Sequence, residues 1–581
     1  HDEVSNHDEV SNHDEVSNSK QPPSKAFLMA QHIASLTGPQ SYSSLSLDSR
    51  EIDAAGIFLA VFGEQTQGHR FISTVLSQGC SLVLAETKDI SENNRISQLS
   101  DATGEGGAAQ VCVVNLREKL GQLAKVFYQN PSLSMNAKAR ALRPTITAVT
   151  GTNGKTSVAS LIAQWRSLLG DDSASIGTLG VKHFADGNST HIADTLNTSP
   201  DIVSLYTHIA HCQRLGCKHI VLEASSHGLA QKRLDGLDIE CGVFTNLSQD
   251  HLDYHQSMEQ YGAAKRRLLQ ASNLRYMVLN ADDSEALTWH REIQIQPKLA
   301  KLQLVWFSLK QVLSASNNDA NQSFYCVASD LRYTQQGCEF TLNSSWGKAH
   351  LSIALIGHFN VANVLAAASA LLVQGCDFNS LVDAANKLSG VAGRMELFRV
   401  ARVNSNMKSD SKSATKAEQN SQAGQRANIL VDYAHTPDAL KQALLAARLH
   451  TRGNLYCVFG CGGDRDKSKR ALMGAVADKY ADKLVLTQDN SRSEAAQDIV
   501  ADILKGISLH KDVAIALDRK DAIKQAWLNS HADDLILLAG KGHETYMEIN
   551  NQRIDYDERA YVAALLSIPL DTNIAACGGL V

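Results

Sequence analysis

Residues 145–169 constrain the fold more than any other stretch. Thr145–Thr150 is a short run of β-branched and apolar residues, the composition of a buried strand. Gly151-Thr-Asn-Gly-Lys-Thr156 follows, and 157–169 then has helical spacing. A strand, a glycine loop and a helix in that order are the context a phosphate-binding loop needs. Gly151 and Gly154 let backbone N–H groups turn onto phosphate oxygens, Lys155 reaches the terminal phosphates, and Thr156 can hold a magnesium ion. The first glycine of the usual pattern falls on Val149, so the loop is a variant. The competing reading is a glycine turn with a chance lysine, and the flanking strand and helix count against it.

The C-terminal third adds four apolar, strand-like runs, at 428–431, 455–459, 483–487 and 534–538. Helical stretches such as 437–449 and 468–480 separate them, which predicts a mostly parallel sheet. A polar motif follows each run: Asp-Tyr-Ala-His-Thr-Pro, Gly-Cys-Gly-Gly-Asp-Arg-Asp, Asp-Asn-Ser-Arg and Gly-Lys-Gly-His-Glu. Ligands of open α/β sheets bind outside the carboxyl ends of the strands, so four such motifs predict one shared crevice.

The remaining divisions follow from composition. Residues 1–18 are three copies of His-Asp-Glu-Val-Ser-Asn and stand outside fold reasoning. Residues 19–143 read as a small α/β domain, with apolar segments at 56–62 and 81–85 and a Ser/Gly/Asn-rich loop at 93–110. Arg143-Pro144 makes the linker to a central domain, 144–390, interrupted by a polar loop at 317–322. The third domain is 391–581, with a disordered insertion predicted at 404–427.

Charge narrows the function. Of 581 residues, 55 are Lys or Arg and 61 are Asp or Glu, a net charge of −6. The repeat holds six acids and no base, so the rest is formally neutral. That argues against a nucleic-acid or general polyanion binder and leaves anion recognition to local sites. No run approaches the ~18 apolar residues of a membrane span, and the acidic start is no secretory signal. Eleven scattered cysteines without paired CxxC motifs fit a reducing cytoplasm; Cys457 and Cys461 read as packing residues.

Several residues could carry chemistry. Glu223, at the end of the apolar 220–222 run, reads as a magnesium ligand or a helix-capping acid. Asp250-His-Leu-Asp-Tyr-His255 could place two histidines on a zinc ion or be a polar turn; it has no HExxH pattern. Lys265, by composition, is a solvated helix lysine. Arg394 could reach a phosphate or pair on the surface, and Arg465 and Arg492 at converging strand ends suit a carboxylate.

Taken together, TGTNGKT, EASSHG, NLSQDHLDYH, the Ala-Ala-Lys265 helix, GHFNVAN, GRME, DYAHTP, GCGGDRDKSKR and GKGHE resemble, in this order, the motifs of the Mur ligases. The resemblance spans about residues 45–565 and implies an α/β fold of three domains. These are an N-terminal domain for the UDP end of the substrate, a central P-loop-type ATPase with a mostly parallel sheet, and a C-terminal Rossmann-like domain. It implies a cytoplasmic, monomeric enzyme that uses ATP and magnesium to join an amino acid to a UDP-muramoyl peptide.

Roles carry over by position. Leu47, Ser49, Glu64, Gln65 and Thr66 match uridine-nucleotide contacts; Asn197, Thr198, Ser199, Ser225, Gln231 and Arg233 match muramoyl-dipeptide contacts. Gly151, Thr152, Asn153, Gly154, Lys155, Thr156, Ser157, Asn360 and Arg394 match ATP contacts. Lys155, Glu223, His251 and Lys265 match catalytic positions. Thr156, Glu223, His251 and Lys265 match the magnesium site, the lysine as an N6-carboxylysine, which replaces the surface reading of Lys265. Arg465, Asp489, Asn490, Ser491, Arg492, Gly540 and Glu544 match contacts to meso-diaminopimelate, with Ser491 in place of the family's proline. Proline fixes φ, so serine is expected to loosen that loop. A lysine-adding relative lacks the arginine motif, folylpolyglutamate synthase lacks the uridine-site motif, and a nucleotide-gated binding protein leaves the arginine-lined crevice without a role.

Overall fold

The computed structural model describes residues 42–63, 67–93, 95–100, 107–129, 143–310, 323–400 and 426–566. The polar loop read at 317–322, residues 404–425 of the insertion, and Glu64, Gln65 and Thr66 lie outside them. The chain divides into two compact units, at Lys138 and Ala139.

The first unit is a five-stranded sheet in the order Leu45–Ser46, Ile57–Ala60, Leu82–Thr87, Gly107–Val114, Ile96–Ser100. All neighbours are parallel except the last pair. This corrects the loop reading of 93–110. Ile96–Ser100 is an edge strand, antiparallel to Gly107–Val114, and edge pairing is made by backbone groups that a Ser/Gly-rich composition conceals. Phe58, Val75, Val83 and Ala85 form its core. Glu86 fastens two segments, accepting from Phe62 N–H at 2.8 Å and from Arg117 N–H at 3.0 Å at the start of helix Leu116–Gln129.

The second unit carries two large sheets. The first has eleven strands in the order Gly347–Ile353, Gly337–Ser344, Ser323–Thr334, Gln303–Ser308, Tyr276–Asn280, Cys241–Phe244, Thr145–Thr150, His219–Glu223, Ser173–Gly177, Gly180–Ala185, Asn188–Ala193. Its middle is parallel and both margins are antiparallel. Strands covered on both faces need near-continuous apolar side chains, which Thr145–Thr150 and His219–Glu223 supply. Helix Lys155–Leu168 packs against helix His358–Val373, which is apolar almost all round and correspondingly buried. Trp165 is fully buried, and its indole N–H reaches Leu381 O at 3.0 Å.

The second sheet has six strands in the order Glu396–Phe398, Asn428–Asp432, Leu535–Ala539, Leu455–Phe459, Lys483–Leu486, Val513–Ile515. All neighbours are parallel except the first pair. The four predicted runs are four of these strands, and their polar motifs follow the carboxyl ends. Helices Pro437–Arg448 and Ser468–Tyr480 stand within a residue of the sequence reading. At the end of the predicted insertion Ala427 is buried, its N–H bonded to Ser530 Oγ at 3.1 Å. Cys457 and Cys461 are buried free thiols, and the described cysteines form no disulfide.

One side chain ties the two sheets of this unit together. His450, just beyond helix Pro437–Arg448, is buried. Its Nε2 accepts from Gly357 N–H at 2.9 Å, so Nδ1 carries the proton and donates to Thr334 O at 2.6 Å. Gly357 starts helix His358–Val373 and Thr334 ends a strand of the larger sheet. Burial lowers the imidazole's pKa, which keeps the neutral tautomer this pattern needs. His450→Ala is expected to leave both backbone groups without partners and to cost about 2–4 kcal/mol, read as a lower urea midpoint; an unmoved midpoint would show that His450 is not a tie.

Candidate active site

The loop after Thr145–Thr150 is shaped by close approach. Gly151 (φ 150°) and Gly154 (φ 85°) lie in the region that disfavours side chains. A Cβ on Gly151 would stand 1.9 Å from Thr245 Oγ1, and one on Gly154 2.7 Å from Asn363 Oδ1. Asn246 fixes the loop, taking Thr152 N–H on its carbonyl at 2.8 Å and Asn153 N–H on its side chain at 3.0 Å. The N–H groups of Lys155, Thr156 and Ser157 precede the first helical bond, Val158 N–H to Gly154 O at 2.8 Å. They are the donors a phosphate would use.

Two lysine amines meet on one carbonyl. Lys155 Nζ donates to Gly151 O at 2.9 Å and to Thr152 O at 2.8 Å; Lys265 Nζ donates to Gly151 O at 2.8 Å. Lys265 is buried, 1% exposed, with its amine 4.3 Å from the centroid of the Tyr261 ring. Burial, with the nearby charge of Lys155, pushes the Lys265 amine down to about 6, so it is mostly neutral at pH 7. The solvated reading of this lysine is wrong because helix Met258–Arg266 turns it inward, under the loop.

Glu223 ends strand His219–Glu223 and accepts from Thr156 Oγ1 at 2.8 Å. Thr178 holds the other oxygen through its N–H at 2.8 Å, and its Oγ1 donates at 3.2 Å to the oxygen that Thr156 uses. Burial raises the Glu223 pKa against the attraction of Lys155, and burial lowers that of Lys155 against the attraction of Glu223. The hard oxygens of Thr156 and Glu223 fit magnesium chemistry. His251 is placed differently. It pairs with Asp250 at 3.4 Å and meets the His227 ring edge-on at 4.8 Å. Among the described residues no three His, Cys, Asp or Glu side chains are grouped to hold a metal. His255 Nε2 lies 2.9 Å from Ser226 Oγ, and among the described residues no third ligand-type side chain joins the two histidines. Ser225, not Glu223, caps helix Ser226–Ala230, at 3.0 Å from Gly228 N.

The residues matched to the muramoyl dipeptide largely converge. Ser199 Oγ donates to Glu223 O at 2.7 Å and lies 3.0 Å from Ser225 Oγ. Arg233 donates to Ser199 O at 2.8 Å and to Gln231 Oε1 at 3.0 Å. Thr198 Oγ1 is 3.1 Å from Thr178 Oγ1, and Asn197 is exposed. Asn360 donates to Ile356 O at 2.8 Å and accepts from Asn363, the residue against Gly154, at 3.0 Å. The Arg394 guanidinium lies 4.8 Å from the centroid of the Tyr433 ring. In the first unit, Leu47 and Ser49 flank Asp48 in a turn where Asp48 Oδ1 accepts from Arg50 N–H at 2.9 Å.

At the strand ends of the smaller sheet, Asp489, Asn490 and Ser491 are buried. Lys541, fully buried, donates to Asn490 Oδ1 at 3.0 Å and Glu544 Oε2 at 2.8 Å, with Asp489 Oδ1 at 3.7 Å. Gly540 (φ 120°) lets the backbone pass Asp489; a Cβ there would lie 2.4 Å from Asp489 Oδ2. Arg492 and Arg465 both border Gly462: its Cβ would be 3.1 Å from an Arg492 terminal nitrogen and 3.8 Å from Arg465 Cγ. The loop at Ser491 is held without a proline. Gly463 N–H donates to Asn490 O at 2.9 Å, Glu494 N–H to Ser491 O at 3.0 Å and Arg492 N–H to Glu548 O at 2.9 Å. Sequence reasoning missed Lys541, Thr178, Asn246 and Glu548. Lys541 and Asn246 carried a signal, the first by its place inside Gly-Lys-Gly-His-Glu and the second as the start of NLSQDHLDYH.

Three family models account for most of the chain: the Mur ligase family catalytic domain over 41–128, the Mur ligase middle domain over 149–371, and the Mur ligase glutamate ligase domain over 418–542. The chain belongs to the Mur ligase family. This Mur ligase is 36% identical over 519 residues to a UDP-N-acetylmuramoyl-L-alanyl-D-glutamate–2,6-diaminopimelate ligase of Haemophilus influenzae, covering 89% of this chain and 94% of that one. It is 37% identical over 525 residues to the ligase of the same name from Haemophilus ducreyi, covering 90% and 95%. A solved structure of a ligase of that name superposes with a TM-score of 0.62 at 33% identity, over 90% of this Mur ligase and 95% of that chain. Among the described residues no helix is long and apolar enough to cross a membrane.

Proposed function

We propose that this Mur ligase joins meso-diaminopimelate to the D-glutamyl γ-carboxylate of UDP-N-acetylmuramoyl-L-alanyl-D-glutamate, using ATP, in peptidoglycan precursor synthesis. The observation that carries the choice of amino acid is the mixed charge at the strand ends. Arg492 and Arg465 border the same glycine, and the carboxylates of Asp489 and Glu544 gather around Lys541. Such a pocket suits a substrate that ends in both an ammonium and a carboxylate. The names of the Haemophilus relatives support the same reading.

A carboxylate is a poor electrophile because its leaving group would be oxide. The γ-phosphoryl group of ATP therefore moves to the glutamyl carboxylate, giving an acyl phosphate and ADP. The amine of diaminopimelate then attacks the acyl carbon, a proton leaves the nitrogen, and phosphate departs as the amide forms. In this reading the N–H groups of residues 155–157 and the Lys155 ammonium offset the charge that phosphate oxygens gain, so their role is electrostatic and positional. Magnesium would be held by Thr156, Glu223, His251 and a carbamate on Lys265, and would supply further charge neutralisation. His251, matched to the same site, stands beside Asp250 and edge-on to the His227 ring.

Phosphate release in the presence of the UDP-muramoyl dipeptide and ATP tests this. It is expected with diaminopimelate and at background level with L-lysine or no amino acid; equal release with L-lysine would overturn the substrate assignment. Arg492→Ala is expected to raise the diaminopimelate KM by roughly 10–100-fold and leave the ATP KM in place, the loss of a charge-assisted contact.

A further inference from the structure

We propose that Glu548 tunes selectivity for the amino acid's distal carboxylate by competing with it for Arg492. This rests on the diaminopimelate reading above. Glu548 lies on strand Tyr546–Ile549, which pairs with Gln552–Asp555 as a hairpin beyond the Gly-Lys-Gly-His-Glu loop. It meets Arg492 in two separate ways. Its backbone carbonyl accepts from Arg492 N–H at 2.9 Å, and its carboxylate Oε2 lies 2.8 Å from Arg492 Nε. Glu548 N–H also donates to Asn490 Oδ1 at 2.9 Å. The backbone bonds place the hairpin against the Asp-Asn-Ser-Arg loop and do not need the side chain.

The carboxylate has another effect. Arg492 is held at φ 52°, and one terminal nitrogen of its guanidinium donates to Gly463 O at 2.8 Å. One of the two edges that can make a two-point carboxylate contact includes Nε, and Glu548 sits on Nε. A diaminopimelate carboxylate that takes this edge therefore replaces one carboxylate with another. The Glu548 side chain is 37% exposed and Arg492 22%, so the pair is a weak, water-screened one that substrate can displace. Removing the internal competitor strengthens diaminopimelate binding and does nothing for an amino acid without the second carboxylate.

The test compares the full chain with Glu548→Gln, and with Glu548→Ala as a second variant, by phosphate release with the UDP-muramoyl dipeptide. The KM for diaminopimelate is expected to fall by about 2–5-fold in both, the range of a partly exposed ion pair. The ATP KM and the level of release with L-lysine are expected to stay at parent values, whereas a merely structural role would move them as well. A parent chain that turns over diaminopimelate while both variants keep or raise its KM overturns the competitor role alone. A parent chain with no diaminopimelate-dependent release overturns this role and the substrate assignment together.

Discussion

Lys155→Ala is expected to lower ADP release by roughly 10²–10³-fold with the fold intact, the scale seen when a donor to developing negative charge is removed. The protein does not depend on this side chain for its shape. Lys155 donates to two loop carbonyls, and one of them, Gly151 O, keeps Lys265 as a donor. The loop is also held by Asn246 and Thr245, with Thr245 Oγ1 donating to Asn153 O at 2.6 Å. What the substitution removes is the one cation inside the phosphate loop itself. Thermal unfolding and ADP release measured on the same preparation separate the two effects. Full turnover would sink the proposed role of the loop.

Lys265→Arg is expected to lower turnover by about 100-fold or more, although a long basic side chain is kept. Arginine does not lose its proton in proteins and cannot capture carbon dioxide as a carbamate. A lysine can, once its amine is neutral. The ordinary lysine amine is neutral only near pH 10, but burial brings Lys265 to about 6. The sign follows. Between pH 6 and 10.5 the folded form binds fewer protons at this site than the unfolded form, so the stability cost of burying the amine is full below about 6 and shrinks as pH rises. Carbamate capture follows the same titration: bicarbonate-dependent activation is expected to be weak at pH 5.5 and near its plateau at pH 7.5. A carbon-13 carbonyl signal from labelled bicarbonate that is present in the parent and missing in Lys265→Arg would identify the group. Activity in Lys265→Arg equal to the parent would exclude it.

The parts of the fold legible in the sequence were those with local causes. Thr145–Thr150 and the helix after it follow from a β-branched run, two glycines and an apolar period. The four strands of the smaller sheet stood out because each is apolar and closed by a polar motif. Ile96–Ser100 was hidden because an edge strand is made by backbone bonds to a neighbour, and Ser and Gln do not advertise them. The inward turn of Lys265 was equally invisible, because composition gives a helix its solvent face only when the partner surface is known. Resemblance to a family, not spacing, pointed to its role. Thr178, Asn246 and Glu548 act through distances of 2.8–3.2 Å to residues far away in sequence, a kind of relation no local pattern records.

The antiparallel pairing of Glu396–Phe398 with Asn428–Asp432 has a bearing on how the chain tolerates change. Phe398 stands opposite Ile429, and Val400 N–H donates to Asn428 Oδ1 at 3.1 Å, so the segment between them departs and returns at adjacent strands of one sheet edge. The closure entropy of such a segment grows only with the logarithm of its length, about 0.6 kcal/mol per doubling. Val400 and Arg426 therefore flank a point where sequence joined across the sheet edge can change in length at little closure cost, for example to carry a fluorescent reporter or an affinity handle.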